Sequence, residues 1–136
     1  MKILDFLKTF NGAAIQLVGS RVTCIPPPTE TDQDVLCFVE EGDVGDVING
    51  LESDGWKFDG SAEYANALHG GVGFRSYRHG EVNLILTSDF DFYSRFMAAT
   101  SVAKRLNLLD KTDRIALFQA VIYGNPCTEI DLALAA

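Results

Sequence analysis

Val18-Gly19-Ser20-Arg21 and, further on, Thr31-Asp32-Gln33-Asp34-Val35-Leu36 form the stretch whose reading decides the fold. Eleven residues separate Ser20 from Asp32. An apolar run, Ala13 to Val18, precedes the Gly-Ser pair, and a second, Val35 to Val39, follows the acidic pair. Both runs have the length and composition of strands, which places a turn at one strand end and two carboxylates at another. Side chains alternate along a strand, so Asp32 and Asp34, one residue apart, point to the same face. Paired carboxylates suit a hard divalent cation, and a Gly-Ser turn presents backbone N–H groups to phosphate oxygens. The competing reading of the two aspartates is a solvated acidic loop that follows Pro26-Pro27-Pro28.

Outward from this stretch, the 136 residues, 47% of them hydrophobic, make a single domain, 1–136, with enough apolar material for one core. Ile3, Leu4, Phe6, Leu7 and Phe10 recur at helical spacing, so residues 2–10 read as a short helix stopped by Asn11-Gly12. Arg21 to Ile25 has room for a turn of helix before the prolines end it. Asp43 suits the N-cap of a helix running through Leu51, with Val44, Val47, Ile48 and Leu51 on its inner face. Trp56 to Phe58 begins a strand, Ser61 to Leu68 is ambiguous, and His69 to Gly73 is a turn. Phe74 to Arg78 and Glu81 to Thr87 form a hairpin turning at His79-Gly80.

From Ser88 the pattern becomes helical. Phe92, Phe96, Ala99, Val102, Ala103 and Leu106 mark one helix capped by Ser88 or Asp89. A second runs from Thr112 to Tyr123, ended by Gly124-Asn125-Pro126, and the last ten residues are weakly patterned. The expected fold is therefore α+β: a small mixed sheet from a strand-rich segment 1–90, helices on one side, and a helical segment 91–125.

Nineteen acidic against eleven basic residues give a formal charge of −8, which argues against generic binding to nucleic-acid backbones. Cys24, Cys37 and Cys127 are odd in number and unpaired in spacing, so reduced thiols in a cytoplasmic protein are expected. Met1 to Asp5 lacks the pattern of a signal peptide, and no apolar stretch approaches the ~20 residues that span a bilayer. His69 and His79 stand apart, and no serine–histidine–acid set or paired cysteines point to hydrolase or zinc chemistry. Arg75 and Arg78, beside Phe74 and Tyr77, have two readings: a phosphate and base platform, or ordinary charge on an exposed strand.

The motif Gly19-Ser20, spacer, Asp32-Gln33-Asp34 resembles that of the nucleotidyltransferase superfamily that includes DNA polymerase beta. Its small size and its Ala-Lys-Arg-Leu-Asn-Leu and Leu-Phe-Gln-Ala-Val-Ile-Tyr-Gly segments also resemble small phage-encoded members. The resemblance implies that Gly19, Ser20 and Arg21 hold a nucleoside triphosphate such as ATP. It implies that Asp32 and Asp34 bind Mg2+ or Mn2+, and that an acceptor on protein, RNA or a small molecule attacks the α-phosphorus. A third carboxylate is expected on the strand after the hairpin turn, where Glu81 and Asn83 are the two candidates. Asn83 brings an amide oxygen but neither charge nor basicity. Gln33 is polar where the family is apolar, and the proline-rich spacer is expected to replace the helix that follows Gly-Ser in the family. Two functions follow from this pattern: a transferase, or a catalytically impaired member that binds a partner protein stoichiometrically. A toxin- or antitoxin-like role in a two-component pair is a third, lesser possibility.

Overall fold

The computed structural model describes residues 2–29, 32–59 and 73–124. The expectations for Ser61 to Leu68, His69, Cys127, the second and third positions of Gly124-Asn125-Pro126 and the final ten residues lie outside the described residues.

Five strands form one mixed sheet. They are β1 (Ala14–Val18), β2 (Gln33–Phe38), β3 (Lys57–Asp59), β4 (Arg75–His79) and β5 (Val82–Thr87), in the order β1-β2-β5-β4-β3. The central pair, β2 with β5, is parallel; the other three pairings are antiparallel. Val35, Leu36, Cys37 and Phe38 are all buried, as a strand covered on both faces requires. The β4–β5 hairpin turns at Gly80-Glu81, one residue beyond the expected His79-Gly80, because His79 pairs with Val82 at the end of β4; Gly80 has φ 59°, the left-handed geometry that such a turn favours. Strand boundaries lie within two residues of those expected from the sequence.

The α+β class, the mixed sheet and the helical C-terminal segment are as expected. One covered face was expected, yet helices lie on both. On one face α1 (Ile3–Leu7) and α3 (Val44–Ser53) cover Val35, Cys37, Val39, Tyr77, Leu84 and Leu86 with Leu7, Val47 and Leu51. On the other, α4 (Phe90–Leu106) and α5 (Lys111–Tyr123) cover Val18, Leu36 and Ile85 with Phe92, Phe96, Ala99, Ala103, Phe118 and Ile122. The reason lies in the central strands, whose alternate residues are apolar on both sides; an uncovered face would leave either Val35, Cys37 and Leu84 or Leu36 and Ile85 in water. No described helix is long and apolar enough to cross a membrane.

Local chemistry sets the ends of the two long helices. Asp89 caps α4, accepting from the Asp91 and Phe92 N–H groups at 3.0 and 3.2 Å, and Asp110 caps α5, accepting from Thr112 N–H at 2.7 Å. Asn107 closes α4 in the left-handed conformation, φ 48°. The expected apolar stripe of α4 is buried through Ala103, but Val102 and Leu106 are exposed, Leu106 because the helix ends there.

Candidate functional site

The helix expected to be lost after Gly-Ser is present in short form. α2 (Ser20–Thr23) is a single turn that starts directly from Gly19. The carbonyl of Gly19 accepts from the Val22 and Thr23 N–H groups at 2.9 and 3.0 Å. The prolines therefore shorten this helix without abolishing it; Cys24 already has extended geometry.

The register of the sheet brings the motif residues together. Val18 lies opposite Asp34, Asp34 opposite Asn83, and Asn83 opposite Arg78, so one row crosses β1, β2, β5 and β4. Alternation puts Asp32 on the face of Asp34, the face that carries Leu36 and Ile85 and is covered further along by α4 and α5. The site occupies the end of that face, beside α2.

Within it, Asp34 packs onto the Gly-Ser turn. Gly19 has φ 83°, and a Cβ built there would overlap Asp34 Oδ2 and lie 2.9 Å from both Asp34 Cβ and Cγ. Only glycine satisfies the dihedral and the contact together. Asn83 Nδ2 donates to Asp34 Oδ1 at 3.1 Å. The Asn83 Oδ1 atom is buried with no hydrogen-bond partner among the described residues. Arg78 spans two carboxylates: Nη1 donates to Asp32 Oδ2 at 2.6 Å and Nε to Asp59 Oδ2 at 3.4 Å. The hydrogen bond to Asp32 raises the Arg78 guanidinium above its ordinary value, so it stays charged at any working pH.

Glu81 and Asn83, the two candidates for the third acidic position, are now distinguished by place. Asn83 is in the row beside Asp34. Glu81 is 86% exposed and directed to Arg21, whose Nη2 is 3.8 Å from Glu81 Oε2. That ion pair also turns Arg21 toward Glu81, where a phosphate contact was expected. Among the described residues, no three Asp, Glu, His or Cys side chains are grouped to hold a metal.

The donor set nonetheless fits a hard cation in kind. Two carboxylates, Asp32 and Asp34, and an amide oxygen without a hydrogen-bond partner among the described residues, Asn83 Oδ1, are all oxygen ligands of the sort that Mg2+ or Mn2+ takes. The close packing of Asp34 on Gly19 fixes one carboxylate against backbone, leaving Asp32 as the more exposed partner.

Sequence reasoning did not find Asp59, and it left Arg78 and Arg75 as a pair. Three residues apart on a strand, the two arginines face opposite ways. Arg78 enters the site, whereas Arg75 lies over the Phe58 ring at 5.9 Å, on the other face. The expected turn at His79-Gly80 would set Arg78 opposite Glu81; the turn at Gly80-Glu81 pairs His79 with Val82 and so sets Arg78 opposite Asn83. Asp59 could not be found without knowing that β3 pairs with β4.

A second polar cluster lies behind α2. Arg114, only 8% exposed, donates from Nη1 to the Leu108 and Leu109 carbonyls at 2.9 and 2.8 Å and to Cys24 Sγ at 3.3 Å. Beside it, Asn107 Oδ1 accepts from Ile25 N–H at 2.9 Å while its Nδ2 donates to the Ile25 carbonyl at 3.1 Å. Together these tie the segment after the Gly-Ser turn to the joint between α4 and α5.

No family model and no curated protein matches the chain. Among solved structures it is similar to the conserved protein GrpB from Enterococcus faecalis, at 17% identity and a TM-score of 0.47, over 90% of this chain and 87% of that one.

Proposed function

We propose that the protein is a nucleotidyltransferase-like protein that holds a divalent cation and a nucleoside triphosphate at the row Asp34–Asn83, with Asp32 beside it. The observation that carries this reading is the row itself. A carboxylate locked against the Gly19 backbone stands next to a buried amide oxygen with no hydrogen-bond partner among the described residues. A buried polar oxygen left without a hydrogen bond is costly, and a cation shared with Asp34 would satisfy it.

The roles follow from place. Asp32, Asp34 and Asn83 Oδ1 would hold Mg2+ or Mn2+, which when bound neutralises triphosphate oxygens and the leaving pyrophosphate. The Asp34 carboxylate occupies the space over Gly19, so phosphate oxygens would meet the Gly19-Ser20 turn beside a cation held by that carboxylate and not on the glycine itself. In transfer, an acceptor oxygen on protein, RNA or a small molecule forms a bond to the α-phosphorus as the bond to pyrophosphate breaks. Neither Asn83 nor the outward-turned Glu81 is placed to take the acceptor's proton, which leaves to water.

That last point favours a second reading, a catalytically impaired protein of the same kind that binds a partner stoichiometrically. Its specific support is the amide at position 83 where a base would be needed. Two experiments separate them. The protein is incubated with labelled nucleoside triphosphates, Mn2+ or Mg2+ and candidate acceptors, and nucleotide binding is measured in parallel by calorimetry. Label on an acceptor, lost in Asp34→Ala, supports transfer; neither label nor nucleotide binding for any cation–nucleotide pair refutes it. A pull-down that recovers a defined partner equally with wild type and Asp32→Ala supports the impaired reading, and loss of that binding in a folded Asp32→Ala refutes it.

A further inference from the structure

We infer that Arg78 is the resident cation of this site, pairing with Asp32 when no divalent ion is bound and withdrawing to Asp59 when one binds. The inference rests on the cation-binding reading given above and assigns a role to two residues outside the metal-ligand set, Arg78 and Asp59.

The geometry has three parts. Arg78 stands on β4 opposite Asn83, one strand beyond the Asp34–Asn83 pair. Its outer nitrogen, Nη1, makes the short contact to Asp32 at 2.6 Å, while its inner nitrogen, Nε, keeps a longer one to Asp59 at 3.4 Å. Asp59 lies on β3, paired opposite Ser76, and its side chain is 23% exposed against 47% for Asp32. The inner carboxylate is thus the more sheltered station and the outer one the more accessible.

A guanidinium has five N–H donors on a rigid plane, so it can turn about the Nε contact and keep one carboxylate while leaving the other. Asp32 cannot give its full charge to a divalent ion while Nη1 is seated on Oδ2. Binding therefore requires displacement of a monovalent cation by a divalent one at the same oxygen. Asp59 lowers the cost of that step, because the displaced guanidinium retains a charged partner instead of losing both. A turned Arg78 still faces the side of the sheet that carries Asp34, where it is available to phosphate oxygens, which a planar fork binds well. Arg78 is then a positioning residue, and Asp59 is its second station and no ligand.

The test uses Mn2+ alone, without nucleotide, on the full chain. Mn2+ affinity is measured by electron paramagnetic resonance for wild type, Arg78→Gln, Asp59→Asn and the double variant, with Arg78→Lys as a charge-retaining control. Arg78→Gln should bind Mn2+ about 2- to 5-fold more tightly, the scale of one exposed ion pair, and Arg78→Lys should fall between. Asp59→Asn should weaken binding in the wild-type background and much less in the Arg78→Gln background. In parallel, the Arg78 Nε–H resonance should shift when Mg2+ is added. Unchanged or weaker binding by Arg78→Gln, or an equal effect of Asp59→Asn in both backgrounds, overturns the two-station role while leaving a metal site. Absence of Mn2+ binding in every one of these proteins removes the metal site as well.

Discussion

The carboxylate of Asp34 fills the space that a side chain on Gly19 would require: a Cβ there would overlap Oδ2 and lie 2.9 Å from Cγ. Gly19 also has φ 83°, so Gly19→Ala meets both a steric and a dihedral penalty. The variant should lose about 1–3 kcal/mol of stability, read as a lowered denaturation midpoint. Adding Asp34→Ala removes the overlap but not the backbone strain, so the double variant should recover only part of the loss attributed to Gly19→Ala. Full additivity of the two changes would show that the carboxylate does not press on the turn.

Asn83→Asp places a third carboxylate beside Asp34 and removes the donor that now reaches Asp34 Oδ1 at 3.1 Å. Two adjacent carboxylates repel, so without divalent ions this variant should melt below wild type, by about 1–2 kcal/mol in stability. Mn2+ should then raise its melting temperature more than that of wild type, because charge at the ligand position strengthens binding. Thermal melts with chelator and with Mn2+ measure both effects; an equal response of the two proteins to Mn2+ would contradict a cation seated between positions 34 and 83.

Arg114→Met tests the cluster behind α2. The substitution leaves the Leu108 and Leu109 carbonyls without the donor they now share. Relief from burying a guanidinium offsets part of this, so the expected net loss is about 1–3 kcal/mol by chemical denaturation. Arg114→Lys keeps a charged donor without the planar fork and should fall between. A neutral or stabilising Arg114→Met would mean that the burial cost of the charge exceeds its bonds.

Burial pushes the Cys37 thiol up to about 12 from an ordinary value of 9.0. A raised folded-state value means that the folded chain holds this proton more tightly than the unfolded chain. Stability from this group is therefore complete below pH 9 and lost as pH rises toward 12. Denaturation curves across that window should fall by at most ~1.4 kcal/mol per pH unit from this residue, and the slope should lessen in Cys37→Ala. The same burial predicts that Cys37 resists alkylation at pH 8 until the protein unfolds, which mass spectrometry after timed labelling would show.

Legibility varied with the range of the interaction that decided each feature. The strands around Gly19 and Asp34, the β4–β5 hairpin to within one residue of its turn and the cap at Asp89 depend on neighbours in sequence, and the pattern showed them. The shared face of Asp32 and Asp34 needed only the twofold alternation of a strand. Which strand lies beside β2 is a different matter: β5 pairs with it in parallel across 49 positions, from Asp34 to Asn83, and no local pattern encodes that. Once the pairing is known, Asn83 and Glu81 separate, because an offset of two residues moves a side chain along the strand without changing its face. Arg114 was hidden for a related reason. A charged residue on an amphipathic helix reads as solvated, and its partners, the Leu108 and Leu109 carbonyls and Cys24, converge only when α4 ends where it does.

The reciprocal bonds between Asn107 and Ile25 divide the connection from the Gly-Ser turn to Asp32 into two unequal regimes. From Ser20 to Ile25 the chain is fastened at both ends, by its helical turn and by the Asn107 amide. Among the described residues between Pro28 and Asp32, no bond of this kind fastens the chain. Length should therefore be a free parameter in one half and a fixed one in the other: a few residues inserted after Pro28 would enlarge a loop at small entropic cost, whereas one inserted before Ile25 would unhook the turn from the helices behind it. Relatives of this chain, or variants selected from an insertion library, should differ in spacer length on the Asp32 side and keep it constant on the Ser20 side.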